Sequence, residues 1–293
     1  MERTPQTVIT APPLELDDPV RLFHGVGVER RDWDGLDPIG RRRLVVRARA
    51  ARLQRDAVVS HRSAAALWGL PEHDRVDWRL HVIDTAATKT HSGSGVVRHV
   101  GALSGHETVV LDGIRTTTLE RTLLDLLHTM PLEHSVIVLD HALRKGGVTR
   151  EALVQASAVR RGGRGSRRAT RALEFADPAA ESPGESLSRL TADRLGAPAP
   201  VLQQEFVTEV GRFRVDFWWP DAGVIGEFDG RVKYDDPEAL WAEKRREDAL
   251  RRAPGVRSVA RWGMSEAEDP VRLGRILIRA GVPLARGWTH LAS

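Results

Sequence analysis

The segment from residue 212 to residue 230, RFRVDFWWPDAGVIGEFDG, constrains the fold of this chain more than any other. Apolar and polar residues alternate on both sides of a Pro-Asp-Ala-Gly sequence, which is typical of two β-strands joined by a tight turn. If Asp221-Ala222 is a two-residue loop, Pro220 lies opposite Gly223 and the remaining pairs follow from that pair. The sequence therefore predicts an antiparallel hairpin with a defined register.

This register brings acidic side chains together, because it puts Asp216 opposite Glu227 and Arg214 opposite Asp229. Side chains alternate between the faces of a strand, so the three acids share one face. The other face is expected to carry four apolar residues: Val215, Phe217, Val224 and Phe228. Carboxylates that face each other repel unless a cation or a proton lies between them. The pattern favours a metal site; the alternative is a solvated face on which Arg214 neutralises Asp229.

A fourth acid, Glu185, lies in the sequence Ser182-Pro183-Gly184-Glu185, which predicts the start of a helix. In a capping box Glu185 is the third helical residue, and spacing alone favours this capping role. The leucines that follow predict the buried side of the helix. Farther along the chain, residues 237–252 predict a charged helix and residues 256–262 predict a strand.

The region before residue 176 is predicted to be one α+β domain, 21–176, after a poorly ordered lead-in at 1–20. Its boundary is expected in the stretch 177–183. Periodicity and capping residues predict helices at 40–56, at 61–68, from the box Thr117–Glu120, at 132–145, after Thr149 and at 160–176, and strands at 76–83 and 95–100. The histidines of this region are scattered, so no catalytic set is predicted here.

Composition restricts the classes of protein. The absence of cysteine excludes disulfides, thiolate zinc sites and cysteine nucleophiles, and favours a cytoplasmic protein. No run of eighteen apolar residues is present and the N-terminus lacks the apolar core of a secretory signal, so no membrane association is expected. The net charge of +4 and the pI near 10 suit a polyanionic partner such as a nucleic acid. GC-rich coding also enriches a chain in arginine, so it explains the basic charge without such a partner. Solvated helix faces explain the arginine clusters equally well.

Several motifs in order resemble those of the PD-(D/E)XK nuclease superfamily, in particular the branch similar to very-short-patch-repair endonucleases. The matching sequences are ESPGESLSR, RVDFWWPDAGVIGEFDG, WAEKRREDALR and VARW. The resemblance covers about residues 181–280, within a predicted domain at 181–285, and implies a restriction-endonuclease-like core of αβββαβ order. It implies Asp216 and Glu227 as metal ligands and Glu185 as an auxiliary acid. The expected ion is Mg²⁺ or Mn²⁺, and Asp229, on the same predicted face, is expected as a further ligand.

The chain departs from the superfamily pattern at one position. Asp229 stands where the pattern has a lysine that orients the attacking water. Lys244 is expected to supply the missing charge, and Lys233 is the other candidate. The residues expected to contact DNA are basic: Arg167, Arg168, Arg171, Arg189, Lys233, Arg245 and Arg246.

The first domain resembles AbiEi-type antitoxin-like proteins through SHRSAAALWGLP, TTTLERTLLDLL, LDHALRKGGVT and RRGGRGSRRATRALEFAD. The helices of a winged helix-turn-helix, which such relatives usually carry, have no counterpart before RLFHGVGV.

The expected overall class is mixed α/β, and the expected function is a metal-dependent DNA endonuclease. The alternatives are a non-catalytic DNA-binding or antitoxin-like regulator with a degenerate nuclease fold, and a module that binds a toxin or another protein partner.

Overall fold

The computed structural model describes residue 12 and residues 15–53, 57–73, 76–85, 89–93, 95–159, 163–230 and 237–288, with the side chains of 237–240 excepted. The chain divides into two compact units, Met1–Ala142 with Gly146–Phe175, and Leu143–Lys145 with Ala176–Ser293. Both units contain helices and strands, so the predicted mixed α/β class is confirmed. Within the described residues, no helix is long and apolar enough to cross a membrane.

The elements that begin before residue 176 are strands and helices in mixed order. In chain order they are β1 (Pro19–Phe23), β2 (Val26–Glu29), α1 (Arg30–Asp34), α2 (Pro38–Ala50), β3 (Val58–Val59), α3 (His61–Leu67), β4 (Leu80–Asp84), β5 (His91–Gly93), β6 (Val96–Val100), β7 (Thr108–Leu111), β8 (Ile114–Thr117), α4 (Leu119–Thr129), α5 (Leu132–Arg144), α6 (Arg150–Ala158) and α7 (Ser166–Phe175). Strand β1 thus begins inside the segment predicted as a lead-in.

Strands β3 to β8 form one sheet in the order β5-β6-β4-β3-β8-β7, and β1 pairs with β2 separately. The pairs β4/β6 and β3/β8 are parallel and the other pairs of the large sheet are antiparallel. Helices α2 and α3 contribute Val46 and Leu67 to a buried cluster with Leu80 of β4. The sheet therefore has an apolar core on this face.

Local hydrogen bonds explain two differences from the predicted elements. The predicted strand 76–83 begins only at Leu80, because the Asp77 carboxylate accepts the backbone N–H of Arg79 and closes a turn there. The predicted capping box Thr117–Glu120 is wrong, since Thr118 is the N-cap of α4 and accepts the N–H of Arg121, which stands at the third helical position in place of an acid. The Thr117 hydroxyl is buried and bonds that of Thr122.

The second unit has the αβββαβ order expected from the sequence, followed by two helices. Its elements are α8 (Pro183–Arg194), β9 (Val201–Thr208), β10 (Gly211–Trp219), β11 (Val224–Phe228), α9 (Pro237–Arg252), β12 (Ser258–Trp262), α10 (Met264–Ala267) and α11 (Pro270–Ala280). The strands form a sheet in the order β12-β11-β10-β9, in which only β11 and β12 run parallel.

Helices cover both faces of this sheet. On one face, Phe217 and Trp262 pack with Leu187 of α8 and Leu277 of α11. On the other face, Leu250 of α9 contributes to a separate buried cluster. The charged helix α9 is therefore anchored by its apolar residues, and its charged residues near the sheet are held in fixed positions.

The predicted hairpin register is confirmed over three pairs: Phe217 with Gly226, Trp218 with Ile225, and Trp219 with Val224. The ladder between β10 and β11 ends there, so the predicted pairs Asp216/Glu227 and Arg214/Asp229 do not belong to it.

The prediction that Val215 shares a face with Phe217 is wrong, since Val215 packs with Ile225 and Leu250 on the α9 face. The physical reason is a break in alternation at Asp216. The ladder with β9 omits the pair Asp216/Gln203, and Gln203 has a left-handed backbone with φ 53°. The distortion that changes the facing of β10 therefore falls at a predicted metal ligand.

Candidate functional site

Glu185 is held at the start of α8 by its own capping interactions. Its backbone N–H donates to Ser182 Oγ at 3.2 Å, and its Oε2 accepts the N–H of Glu181 at 2.9 Å. The predicted capping role is confirmed, with the second bond at Glu181 rather than Ser182. The same oxygen accepts Gln203 Nε2 at 2.9 Å. The buried carboxylate of Glu185 is thus both a cap and part of a polar network.

Asp216 is fixed by the backbone of the neighbouring strand. Its Oδ2 accepts the N–H of Phe228 at 2.8 Å, beyond the point where the β10/β11 ladder ends. The Gln203 side chain also hydrogen-bonds this carboxylate. Gln203 therefore bridges Asp216 and Glu185, a role that the sequence analysis missed because it depends on the pairing of β9.

Glu227 is buried at the end of β11 and forms an ion pair with α9. Its Oε1 accepts Arg246 Nη2 at 2.8 Å. Burial is the main cause that raises the pKa of Glu227 to about 7, and the nearby charge of Asp216 raises it further, whereas Arg246 opposes the shift. Burial likewise raises the pKa values of Asp216 and Glu185, and the Asp216 charge adds to the shift of Glu185. Three elements thus bring these three acids into one electrostatic cluster.

Asp229 is not part of the interactions that join the other three acids. It is exposed, and its Oδ1 lies 3.8 Å from Arg261 Nη1. Arg214 does not neutralise it, since Arg214 Nη2 bonds Glu181 Oε2 at 2.8 Å. The solvated-face alternative is therefore wrong about the partner of Arg214, and the proposed ligand role of Asp229 stays a prediction.

Helical periodicity decides which cation of α9 reaches the acids. Glu243, Arg246 and Leu250 follow one another at spacings of three and four residues, so they share the face that packs on the sheet. Lys244 lies on the exposed side, with Nζ 5.5 Å from the centre of the Trp241 ring. Among the described residues it has no contact with the three acids. Arg246, expected on DNA, is the cation at the cluster, and Lys244 is not.

The other predicted DNA contacts have different environments. Arg245 on α9 and Arg167 and Arg171 on α7 are exposed. Arg168 donates to the carbonyl oxygen of His128 at 2.8 Å, which gives it a structural role in the first unit. Arg189 is half-buried on α8. Lys233 lies outside the described residues.

The donor set fits a magnesium-type ion better than a tight protein cage. Within the described part of the chain, no group of three or more His, Asp or Glu side chains is arranged to hold a metal ion. Mg²⁺ commonly takes only one or two carboxylates and completes its shell with water and substrate oxygens. Asp216 and Glu227 are the pair predicted to bind it, and the guanidinium of Arg246 shows that a positive charge is accommodated beside them.

The first unit contains a histidine cluster that the sequence analysis did not predict. His81 Nδ1 and His99 Nε2 lie 3.0 Å apart, His81 Nε2 lies 3.0 Å from Asp77 Oδ2, and the His61 ring stacks on His99 with centroids 3.6 Å apart. Burial is the main cause that lowers the pKa of His81 to about 4, and it lowers that of His99 as well. Strand pairing between β4 and β6 brings these residues together, and local sequence patterns carry no signal for it.

The fold and the site define a class: a mixed α/β protein of two units, the second with acids of α8 and of the two central strands of a four-stranded mixed sheet in one cluster. Two uncharacterized proteins of Mycobacterium tuberculosis, MT2308 (strain CDC 1551 / Oshkosh) and Rv2248 (strain ATCC 25618 / H37Rv), are each 31% identical to the chain over 192 residues, which cover 65% of this chain and 69% of each relative. The chain belongs to the same family as these two proteins. No family model matches it, and no solved structure matches it significantly.

Proposed function

We propose that the second unit is a metal-dependent DNA endonuclease that hydrolyses phosphodiester bonds. The observation that carries the proposal is the convergence of Glu185, Asp216 and Glu227 from α8, β10 and β11. Burying like-charged carboxylates close together costs free energy unless a cation compensates their charge. The resemblance of the motifs to PD-(D/E)XK nucleases supports the same assignment.

Asp216 and Glu227 would hold Mg²⁺ or Mn²⁺, because their hard oxygens suit either ion. A bound divalent ion lowers the pKa of a coordinated water and stabilises charge on the phosphate during attack. Phe228 N–H orients the Asp216 carboxylate, and the Gln203 amide fixes Glu185 beside it. In the reaction, the water oxygen forms a bond to phosphorus and the bond to the leaving sugar oxygen breaks, which leaves a phosphomonoester and a hydroxyl group.

The proposal includes DNA as the partner and the cytoplasm as the location. The exposed arginines of α7 and α9, among them Arg167, Arg171 and Arg245, would bind phosphates without reading base sequence. Their contribution would be sensitive to salt, because each phosphate contact releases counterions.

Incubation of the purified chain with supercoiled plasmid and Mg²⁺, or with a chelator, tests this function. We expect metal-dependent nicking that the double variant Asp216→Ala, Glu227→Ala lacks. The matched control is Glu209→Ala, Asp248→Ala, which removes two exposed acids from the same unit and is expected to nick normally. Nicking by the Asp216/Glu227 variant at the wild-type rate would assign the activity to another site or a contaminant.

Two observations favour a second candidate, a non-catalytic DNA-binding or antitoxin-like regulator that retains a degenerate nuclease fold. Asp229 stands at the superfamily's lysine position, and Arg246 already neutralises Glu227. This candidate predicts salt-sensitive DNA binding without cleavage under either metal. A toxin or another protein partner would then be found by co-purification rather than by nicking.

A further inference from the structure

Arg246 interacts with the acid cluster through one end of its guanidinium. Nη2 donates to Glu227 Oε1 at 2.8 Å and to the carbonyl oxygen of Arg214 at 3.1 Å, while Nη1 lies 3.3 Å from Glu243 Oε1. The side chain is 23% exposed, so it borders solvent.

From these contacts we infer that Arg246 is a displaceable counter-ion, which neutralises Glu227 until a divalent cation binds and then becomes available to a DNA phosphate. This inference rests on the proposed function, because it assigns a step of metal and substrate binding to the same site. It concerns a residue that the sequence analysis expected only on DNA.

The contacts of Glu243 show that its charge does not depend on Arg246 alone. Glu243 Oε1 also forms a short ion pair with Arg261, and Arg261 lies 3.6 Å from Glu247 as well. The charge of Glu243 therefore stays compensated when Arg246 moves away. Glu227 is the acid that depends on Arg246, and a metal ion shared with Asp216 would replace that compensation.

The chemistry of arginine requires exchange rather than deprotonation. A guanidinium stays protonated at any physiological pH, so it can vacate the site only by moving. Within the acid cluster it donates to one carboxylate, that of Glu227, whereas a divalent ion would be shared by Glu227 and Asp216. After displacement, the planar guanidinium suits bidentate binding of a phosphate beside the acid cluster.

The alternative is that Arg246 only attaches α9 to the sheet. Both roles predict some loss of stability when the side chain is truncated, so stability does not separate them. Metal affinity does, because a competitor for Glu227 weakens metal binding and its removal strengthens it. A purely structural arginine would leave a loosened site with weaker metal binding.

The experiment measures free Mn²⁺ by electron paramagnetic resonance during titration of the full chain without DNA. The variants are Arg246→Gln, Arg246→Lys and the control Arg212→Gln, which removes an arginine that pairs with Glu205 at the same 2.8 Å outside the cluster. We expect Mn²⁺ to bind Arg246→Gln about tenfold more tightly than wild type, which corresponds to about 1.4 kcal/mol. Arg246→Lys is expected between the two, and Arg212→Gln at the wild-type value.

Two kinds of failure are distinguishable. If wild type binds Mn²⁺ and the Asp216→Ala, Glu227→Ala variant does not, but Arg246→Gln binds equally or more weakly, the counter-ion role is overturned and the metal site remains. If the double variant binds as wild type does, or if neither wild type nor Arg246→Gln binds Mn²⁺, the proposed function fails together with the inference. Tighter Mn²⁺ binding by Arg246→Gln that is lost when Asp216→Ala and Glu227→Ala are added to it supports both the metal site and the counter-ion role.

Discussion

Gly184 controls how closely α8 approaches β11, and its replacement by alanine is the sharpest structural test of the site. A Cβ built at Gly184 would lie 1.9 Å from Phe228 Cζ and 2.2 Å from Cε1. Carbon atoms in contact normally lie about 3.5–4.0 Å apart, so the ring would have to move by roughly 2 Å. The residue before the cap acid Glu185 thus contacts the residue after Glu227, and the glycine allows the two acids to converge.

The expected magnitude follows from two opposing terms. Overpacking of this kind costs about 1–3 kcal/mol, and a Gly→Ala change in a helix interior returns at most about 1 kcal/mol. The return is smaller here because Gly184 is only the second residue of α8. We expect Gly184→Ala to lower the free energy of unfolding by about 2 kcal/mol, which shifts a urea midpoint by about 1 M.

Urea titration followed by tryptophan fluorescence measures this shift, since Trp219 and Trp262 are buried in the same core. The control is Gly230→Ala, because a Cβ there meets nothing within 4 Å. Its midpoint is expected to change little. A Gly184→Ala midpoint at or above that of Gly230→Ala would refute the close-approach argument, whereas partial recovery in Gly184→Ala, Phe228→Leu would support it.

Two further predictions concern other buried polar groups. Because burial lowers the pKa of His81 to about 4, from 6.5 when unfolded, its contribution to stability is present above pH 6.5 and is lost as the pH falls toward 4, by about 3 kcal/mol in all. The raised pKa of Glu227 acts in the opposite direction over the same range, so the quantity to measure is the difference in unfolding free energy between wild type and His81→Gln, in which the contribution of Glu227 cancels. A difference that stays constant between pH 7 and pH 4.5 would contradict the prediction. Ser188→Ala leaves the buried indole N–H of Trp262 without the acceptor that lies 2.7 Å away, so we expect thermal or urea unfolding to show a loss of about 1–3 kcal/mol, and a loss below 0.5 kcal/mol would contradict it.

What the sequence could predict was local. Turn chemistry at Asp221-Ala222 determined the hairpin register, and Ser182 with Pro183 predicted the start of α8. The position of Arg246 rather than Lys244 was also accessible, because Leu250 is four residues beyond Arg246 on one helical face. That periodicity indicates which charged residues of α9 face the sheet.

The rest depended on contacts between distant segments. The change of facing at Val215 requires the distorted pairing of Asp216 with Gln203, and β9 gave no turn or register signal of its own. The histidine cluster likewise depends on the parallel pairing of β4 with β6, which sets His81 and His99 on neighbouring strands. Such pairings are decided by the whole sheet and not by neighbouring residues.

The energetics of Glu227 distinguish it from its neighbours. The carboxylates of Glu185 and Asp216 accept backbone N–H groups, so each of these acids has a structural explanation. Among the described residues, the carboxylate of Glu227 has a single hydrogen-bond partner, the side chain of Arg246. A buried ion pair of this kind stabilises a fold no better than well-packed apolar residues would, and breaking it is costly. The stability of the fold therefore does not account for an acid at position 227. The absence of a stabilising role supports a role of Glu227 in binding a cation.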